Sequence, residues 1–192
     1  RTGHPSQKLW SEGKPPAEKR NHPVVGISWF EANAYACWSG QRLPTAAEWQ
    51  RAASWSLDGV AGEARYPWGA TFDPQRANTW HSRQRDTVAV DEYANGSTPN
   101  GVCQLIGNTW EWTADGFDGD TEGQSQVIFE RPMAEIRGGA YDTYLETQAT
   151  CKFRTAQPLL HRGPNVGFRC CVGTEDLPCP PDPTALLEIQ GL

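Results

Sequence analysis

The sequence predicts an α+β domain with two helices near its start and, beyond them, short strands set in long loops. Two patterns of Ser/Thr followed three residues later by Glu stand close together, Ser28 with Glu31 and Thr45 with Glu48, and apolar residues at helical spacing follow each. From Trp55 onward short apolar pieces are separated by Gly, Pro, Asn and Asp, the pattern of strands and turns. Gly at 19 copies, Pro at 15 and Trp at nine suit a loop-rich chain folded round a few large aromatics, not a helix bundle.

With 192 residues the chain is long enough for one domain with a substantial core. Residues 1–22 are polar, carry the adjacent Pro15 and Pro16, and read as an irregular lead-in. Residues 23–27 form a short strand-like run. The first helix is expected over 28–39, because a serine oxygen can accept the N–H three residues on while the glutamate reaches back. Trp29, Ala32, Tyr35 and Ala36 fall on one broad face with Cys37 and Trp38 beside it, and Gly40 ends the helix. The second helix is expected over 45–54, carrying Trp49, Ala52 and Ala53. Around residues 107–112, strand alternation turns Trp110 and Trp112 to one face and Glu111 to the other. Residues 174–192, with four prolines, read as an extension or linker. The polar opening and the Arg at position 1 are read as the start of a processed or partial chain.

Several function classes are excluded or disfavoured. No apolar run approaches 18 residues, so no membrane-spanning helix is expected. A net charge of −6 disfavours a general nucleic-acid binder, which needs a basic surface to neutralise phosphates. His4, His22, His81 and His161 are scattered without the close spacing of a zinc or iron ligand pair. Cysteines stand at 37, 103, 151, 170, 171 and 179, with no Cys-x-x-Cys among them. That density fits disulfides in an oxidising, extracytoplasmic compartment (periplasmic, surface or secreted); buried thiols in a cytosolic protein are the alternative.

A series of short motifs occurs in a telling order: Gly40-Gln41-Arg42-Leu43-Pro44-Thr45 leading into Ala47-Glu48-Trp49, then Tyr66-Pro67-Trp68-Gly69, Ala77-Asn78 and Gly107-Asn108-Thr109-Trp110-Glu111-Trp112. Arg137-Gly138-Gly139-Ala140-Tyr141 and Gly167-Phe168-Arg169-Cys170 complete it. Through these, residues 23–173 resemble the formylglycine-generating-enzyme, or sulfatase-modifying-factor, family. The resemblance implies a C-type-lectin-like fold with two helices and small antiparallel sheets, and a strand-forming front segment that has no counterpart ahead of Pro23.

The resemblance also implies metal sites. Glu111 and the carbonyls near it offer the hard oxygens calcium takes, and the family's site falls at Gln104, Gly107, Thr109 and Glu111, with Gln104 where relatives carry Asn. The alternative is a glutamate buried against an Arg or against backbone N–H groups. A second family site falls at Asn78, the Thr79 carbonyl and Asp86. A disulfide between Cys37 and Cys170 is implied as well, whereas Cys151 matches a structural cysteine whose partner position holds Ser54.

At one place the sequence departs from the family. Active members bind copper through two cysteines just after the motif matched by residues 137–141, thiolates being suited to Cu(I). Here Asp142, Thr143, Tyr144, Leu145, Glu146, Thr147 and Gln148 follow, without sulfur. Copper is therefore not expected. The expected function is a non-catalytic, calcium-stabilised binding or scaffold module, with a protein partner or small ligand, within a larger polypeptide or assembly. Tyr144, Leu159, His161 and Arg162, between the last two motifs, are the expected binding surface, since aromatic and Arg residues on loops suit recognition. An oxidoreductase of the same family using non-copper chemistry is the alternative, ahead of an active sulfatase-modifying enzyme.

Overall fold

The computed structural model describes residues 10, 14–54, 64–117, 129–173 and 176; most of the 1–13 segment and of the 174–192 tail, including Cys179, lies outside the described residues. Both expected helices form where their caps place them. Helix α1 (Trp29–Trp38) starts at Ser28, whose hydroxyl accepts the Glu31 N–H while the Glu31 carboxylate accepts the Ser28 N–H at 2.9 Å. At its other end Gly40 takes the left-handed conformation (φ +71°), and Gln41 N–H donates back to Ala36 O at 2.8 Å. Helix α2 (Ala46–Ser54) repeats the box at Thr45 and Glu48, and Asp115 accepts the orphan Ala46 N–H at 2.6 Å.

The apolar face expected for α1 is narrower than its sequence suggests. Ala32 and Ala36 are buried, but Phe30, Tyr35 and Trp38 are 48%, 52% and 81% exposed. Small residues allow the helix to lie close on the sheet, and the Trp29 indole pins it there by donating to Thr113 O at 2.8 Å.

Four strands follow: β1 (Trp110–Gly116), β2 (Met133–Arg137), β3 (Arg154–Pro158) and β4 (Val166–Phe168), in the order β3-β2-β1-β4. The pairs β1–β2 and β2–β3 are antiparallel, but β4 runs parallel to β1, so the sheet is mixed where an antiparallel one was expected. The chain between β3 and β4 returns across the sheet, and Trp110 N–H meets Asn165 O at 2.8 Å as β4 enters beside β1. Strand β1 alternates as the sequence predicts. Trp112 packs with Ala32, Ala36, Leu43, Ile136 and Val166 on one side. Glu111 faces α2, where Trp49 packs with Leu105, Ile106, Ala149 and Cys151. Of the lead-in, residues 17–19 form a 3-10 turn and Asn21 O accepts the Val90 N–H at 2.8 Å, tying it to the domain. Among the described residues no helix is long and apolar enough to cross a membrane.

Candidate functional site

Glu111 sits in the central strand with 6% of its surface exposed, so its charge needs partners. Trp49 of α2 supplies one, its indole N–H donating at 2.6 Å. Arg169, just past β4, supplies the rest: Nε donates at 2.6 Å to one carboxylate oxygen and Nη2 at 2.8 Å to the other. The same Nη2 reaches the Cys103 and Gln104 carbonyls at 3.1 and 3.4 Å. Burial alone would depress the Arg169 guanidinium, and Glu111 more than reverses this, holding it above its ordinary value.

The residues expected to hold calcium do come together. Gln104, Thr109 and Glu111 line one cavity of about 300 Å³ with Asn108, Phe168 and Arg169. Gly107 turns the chain behind it at φ +81°, where a Cβ would come within 2.5 Å of Asn78 O. Gln104, Gly107 and Glu111, however, have oxygens that already accept hydrogen bonds. Gln104 Oε1 accepts from Asn108 Nδ2 at 2.5 Å while its amide nitrogen donates to the Ala89 and Glu92 carbonyls. Gly107 O accepts the Thr109 N–H at 2.9 Å, and Arg169 neutralises Glu111. In this arrangement an ion could use Glu111 only with Arg169 displaced. The sequence motifs contained both Trp49 and Arg169, but their spacing gave neither a role.

At the second expected site, Asn78, Thr79 and Asp86 are also neighbours, joined differently from the expectation. Asn78 Nδ2 donates to the main-chain oxygen of Asp86 at 2.9 Å, and the Ser82 hydroxyl is within 2.7 Å of both Asn78 Oδ1 and Thr79 O. The Asp86 carboxylate turns away to Lys19 at 2.5 Å and to the Thr87 N–H at 2.7 Å. Burial acts to raise its pKa, but these two donors outweigh it and hold the group below its ordinary value. Thr79 Oγ1 is buried and has no hydrogen-bond partner among the described residues. Among the described residues no group of three or more His, Cys, Asp or Glu side chains is placed to hold a metal ion.

The segment that lacks sulfur is tied up by its own turn. Thr143 Oγ1 accepts the Ala140 N–H at 2.8 Å, Thr143 N–H donates to Ala140 O, and residues 146–148 form a 3-10 turn. The described cysteines are free thiols in this structure, so the expected Cys37–Cys170 bridge is not formed: Cys37 is exposed on α1, whereas Cys170 packs against the core beyond β4. Cys151 is fully buried beside the end of α2, its thiol donating to Ala53 O at 3.3 Å, next to the Ser54 position. Burial pushes that thiol up to about 12.

The four residues expected to form a binding surface are not equivalent. Tyr144 is 63% exposed and stacks on His81, with Trp80 edge-on beside it. Leu159 packs against the core, and its carbonyl accepts the Trp29 N–H. Arg162 is held by Glu31 at 2.7 Å. Partial burial lowers the pKa of His161.

Comparison with known proteins agrees with this architecture. A formylglycine-generating enzyme of Thermomonospora curvata is 41% identical over 175 residues, covering 80% of this chain and 56% of that protein. The inactive C-alpha-formylglycine-generating enzyme 2 of Bos taurus is 31% identical over 169 residues, covering 81% and 52%. The chain thus spans about half the length of these curated relatives. The structure of PvdO from Pseudomonas aeruginosa superposes with a TM-score of 0.59 at 23% identity, over 78% of this chain and 61% of that one, a likeness of fold. The model of the sulfatase-modifying factor enzyme 1-like domain matches residues 3–173, taking in most of the lead-in, and the chain belongs to that family.

Proposed function

We propose that this domain is a non-catalytic ligand- or protein-binding module built on the formylglycine-generating-enzyme framework. The observation that carries the reading is the stretch 142–148, where active relatives keep their copper thiolates. It holds no sulfur, and Thr143 is engaged in closing the turn. The described thiols lie elsewhere, and Cys151, buried and pushed up to about 12, is a poor source of thiolate. The Bos taurus relative, described as inactive, is a precedent for this framework without the activity. The exposed aromatic group Trp80, His81 and Tyr144 offers a surface suited to recognition.

Incubation with Cu(I) and a peptide carrying the sulfatase cysteine motif tests the reading, with the Thermomonospora curvata enzyme as positive control. Mass spectrometry is expected to find the cysteine unchanged. Conversion to the aldehyde refutes the proposal.

Calcium binding at Gln104, Gly107, Thr109 and Glu111 enters as a second proposal in a restricted form: the ion takes Glu111 in place of Arg169. An ion that binds only the native state contributes about 2.7 kcal/mol at a hundredfold excess over its Kd. Identical melting curves in EDTA and in excess calcium would remove it.

A further inference from the structure

A cleft of about 400 Å³ opens between the described part of the lead-in and the loop at 85–87, with Tyr141 and Pro164 also on its wall. That volume is within the range of small-molecule sites. Its charged lining is Lys19, Arg20, Arg85 and Asp86, with His22 beside them. Lys19 and Asp86 form an ion pair at 2.5 Å and cancel. Arg20 and Arg85 have no carboxylate partner among the described residues, so the cleft keeps two positive charges in a chain whose net charge is −6. Arg85 is also placed with care. Its backbone is left-handed at φ +60°, uncommon for a residue with a Cβ, and its guanidinium carbon lies 3.5 Å from the centroid of the Trp80 ring. A guanidinium stacked on a ring keeps its N–H edge available for an anion. The Tyr141 phenol has its pKa raised by burial first and then by Asp142 and Asp86, so it stays protonated as a donor. Trp10, Pro16 and Val24 add apolar wall.

We propose that this cleft binds a small organic anion, a carboxylate or phosphate ester on an apolar ring, with Arg20 and Arg85 taking the charge and Tyr141 donating a further hydrogen bond. The proposal rests on the binding-module reading and gives it a site and a ligand class. Peptide conversion by copper would overturn that reading without bearing on the cleft.

The test is a two-dimensional NMR titration of the full chain with phenyl phosphate, indole-3-acetate, inorganic phosphate and hexaglutamate. Phenyl phosphate or indole-3-acetate is expected to shift resonances of residues 19–24, 85–87 and 141 saturably, and added salt to weaken the binding; the better of the two identifies the anion. Arg20→Gln and Arg85→Asn, the second chosen because Asn tolerates a left-handed backbone, should each weaken binding about tenfold. Melting curves check that both variants fold. The proposal is overturned if neither aromatic probe shifts these residues, if both folded variants bind as the parent does, or if inorganic phosphate binds as tightly as the aromatic probes. Binding of hexaglutamate alone overturns it in favour of an acidic-peptide surface.

Discussion

Replacing Arg169 with Met tests how the charge on Glu111 is balanced. In the parent, Glu111 receives three hydrogen bonds, two from Arg169 and one from Trp49, all between 2.6 and 2.8 Å. Arg169→Met leaves a carboxylate that is 8% exposed in its side chain, with the Trp49 indole as its one remaining side-chain donor among the described residues. Breaking a fully buried pair by removing one partner costs about 3–5 kcal/mol. Arg169 is 27% exposed in its side chain, so water can enter the vacated space. The expected loss is therefore smaller, roughly 2–3 kcal/mol, or about 5–10 °C in Tm for a domain of this size. Urea unfolding followed by tryptophan fluorescence, in EDTA, measures it. The double variant Glu111→Gln/Arg169→Met removes both charges and should be less destabilised than the sum of the two single variants. A loss below about 0.5 kcal/mol for Arg169→Met in EDTA refutes the assignment of Arg169 as the main counter-charge. A large loss in EDTA that calcium restores would support the ion-for-arginine exchange.

Gly107→Ala should destabilise by roughly 2–5 kcal/mol in the same unfolding assay, since it adds left-handed strain to a Cβ held 2.5 Å from Asn78 O. Thiol labelling of the native protein under reducing conditions should modify exposed Cys37 and leave Cys151 unmodified until urea unfolds the chain; peptide mass spectrometry reads both. For Glu48, hydrogen bonds from Arg42 first and the Thr45 N–H next hold the carboxyl at about 2 against 4.5. A depressed folded-state pKa gives stability that is present above 4.5 and lost as pH falls toward 2. Because Glu48 is 45% exposed in its side chain, solvent screening reduces the expected contribution to about 1 kcal/mol, and Glu48→Gln should remove that part of the acid sensitivity.

Much of the fold was legible because it is locally encoded. Ser28 with Glu31 and Thr45 with Glu48 are three residues apart, and each glutamate reaches its own cap whatever the rest of the chain does. Alternation along β1 likewise follows from backbone geometry, which put Trp112 and Glu111 on opposite faces. The exposure of Tyr35 and Trp38 was not legible, because apolar character alone does not say which part of a face a sheet will cover.

The sequence by itself determined the two capped helices, the ordered motifs that carry the family, and the lack of sulfur between residues 142 and 148. Tertiary structure alone decided what each charge meets. Arg169 reaches Glu111 across 58 residues of chain, and Asp86 turns to Lys19 across 67. Arg85 is delivered onto Trp80 by a backbone conformation that its residue type does not favour. The parallel entry of β4 brings Arg169 to the carboxylate expected to bind calcium. Such contacts depend on the path by which the chain returns, and a buried charge pairs with whichever donor that path delivers.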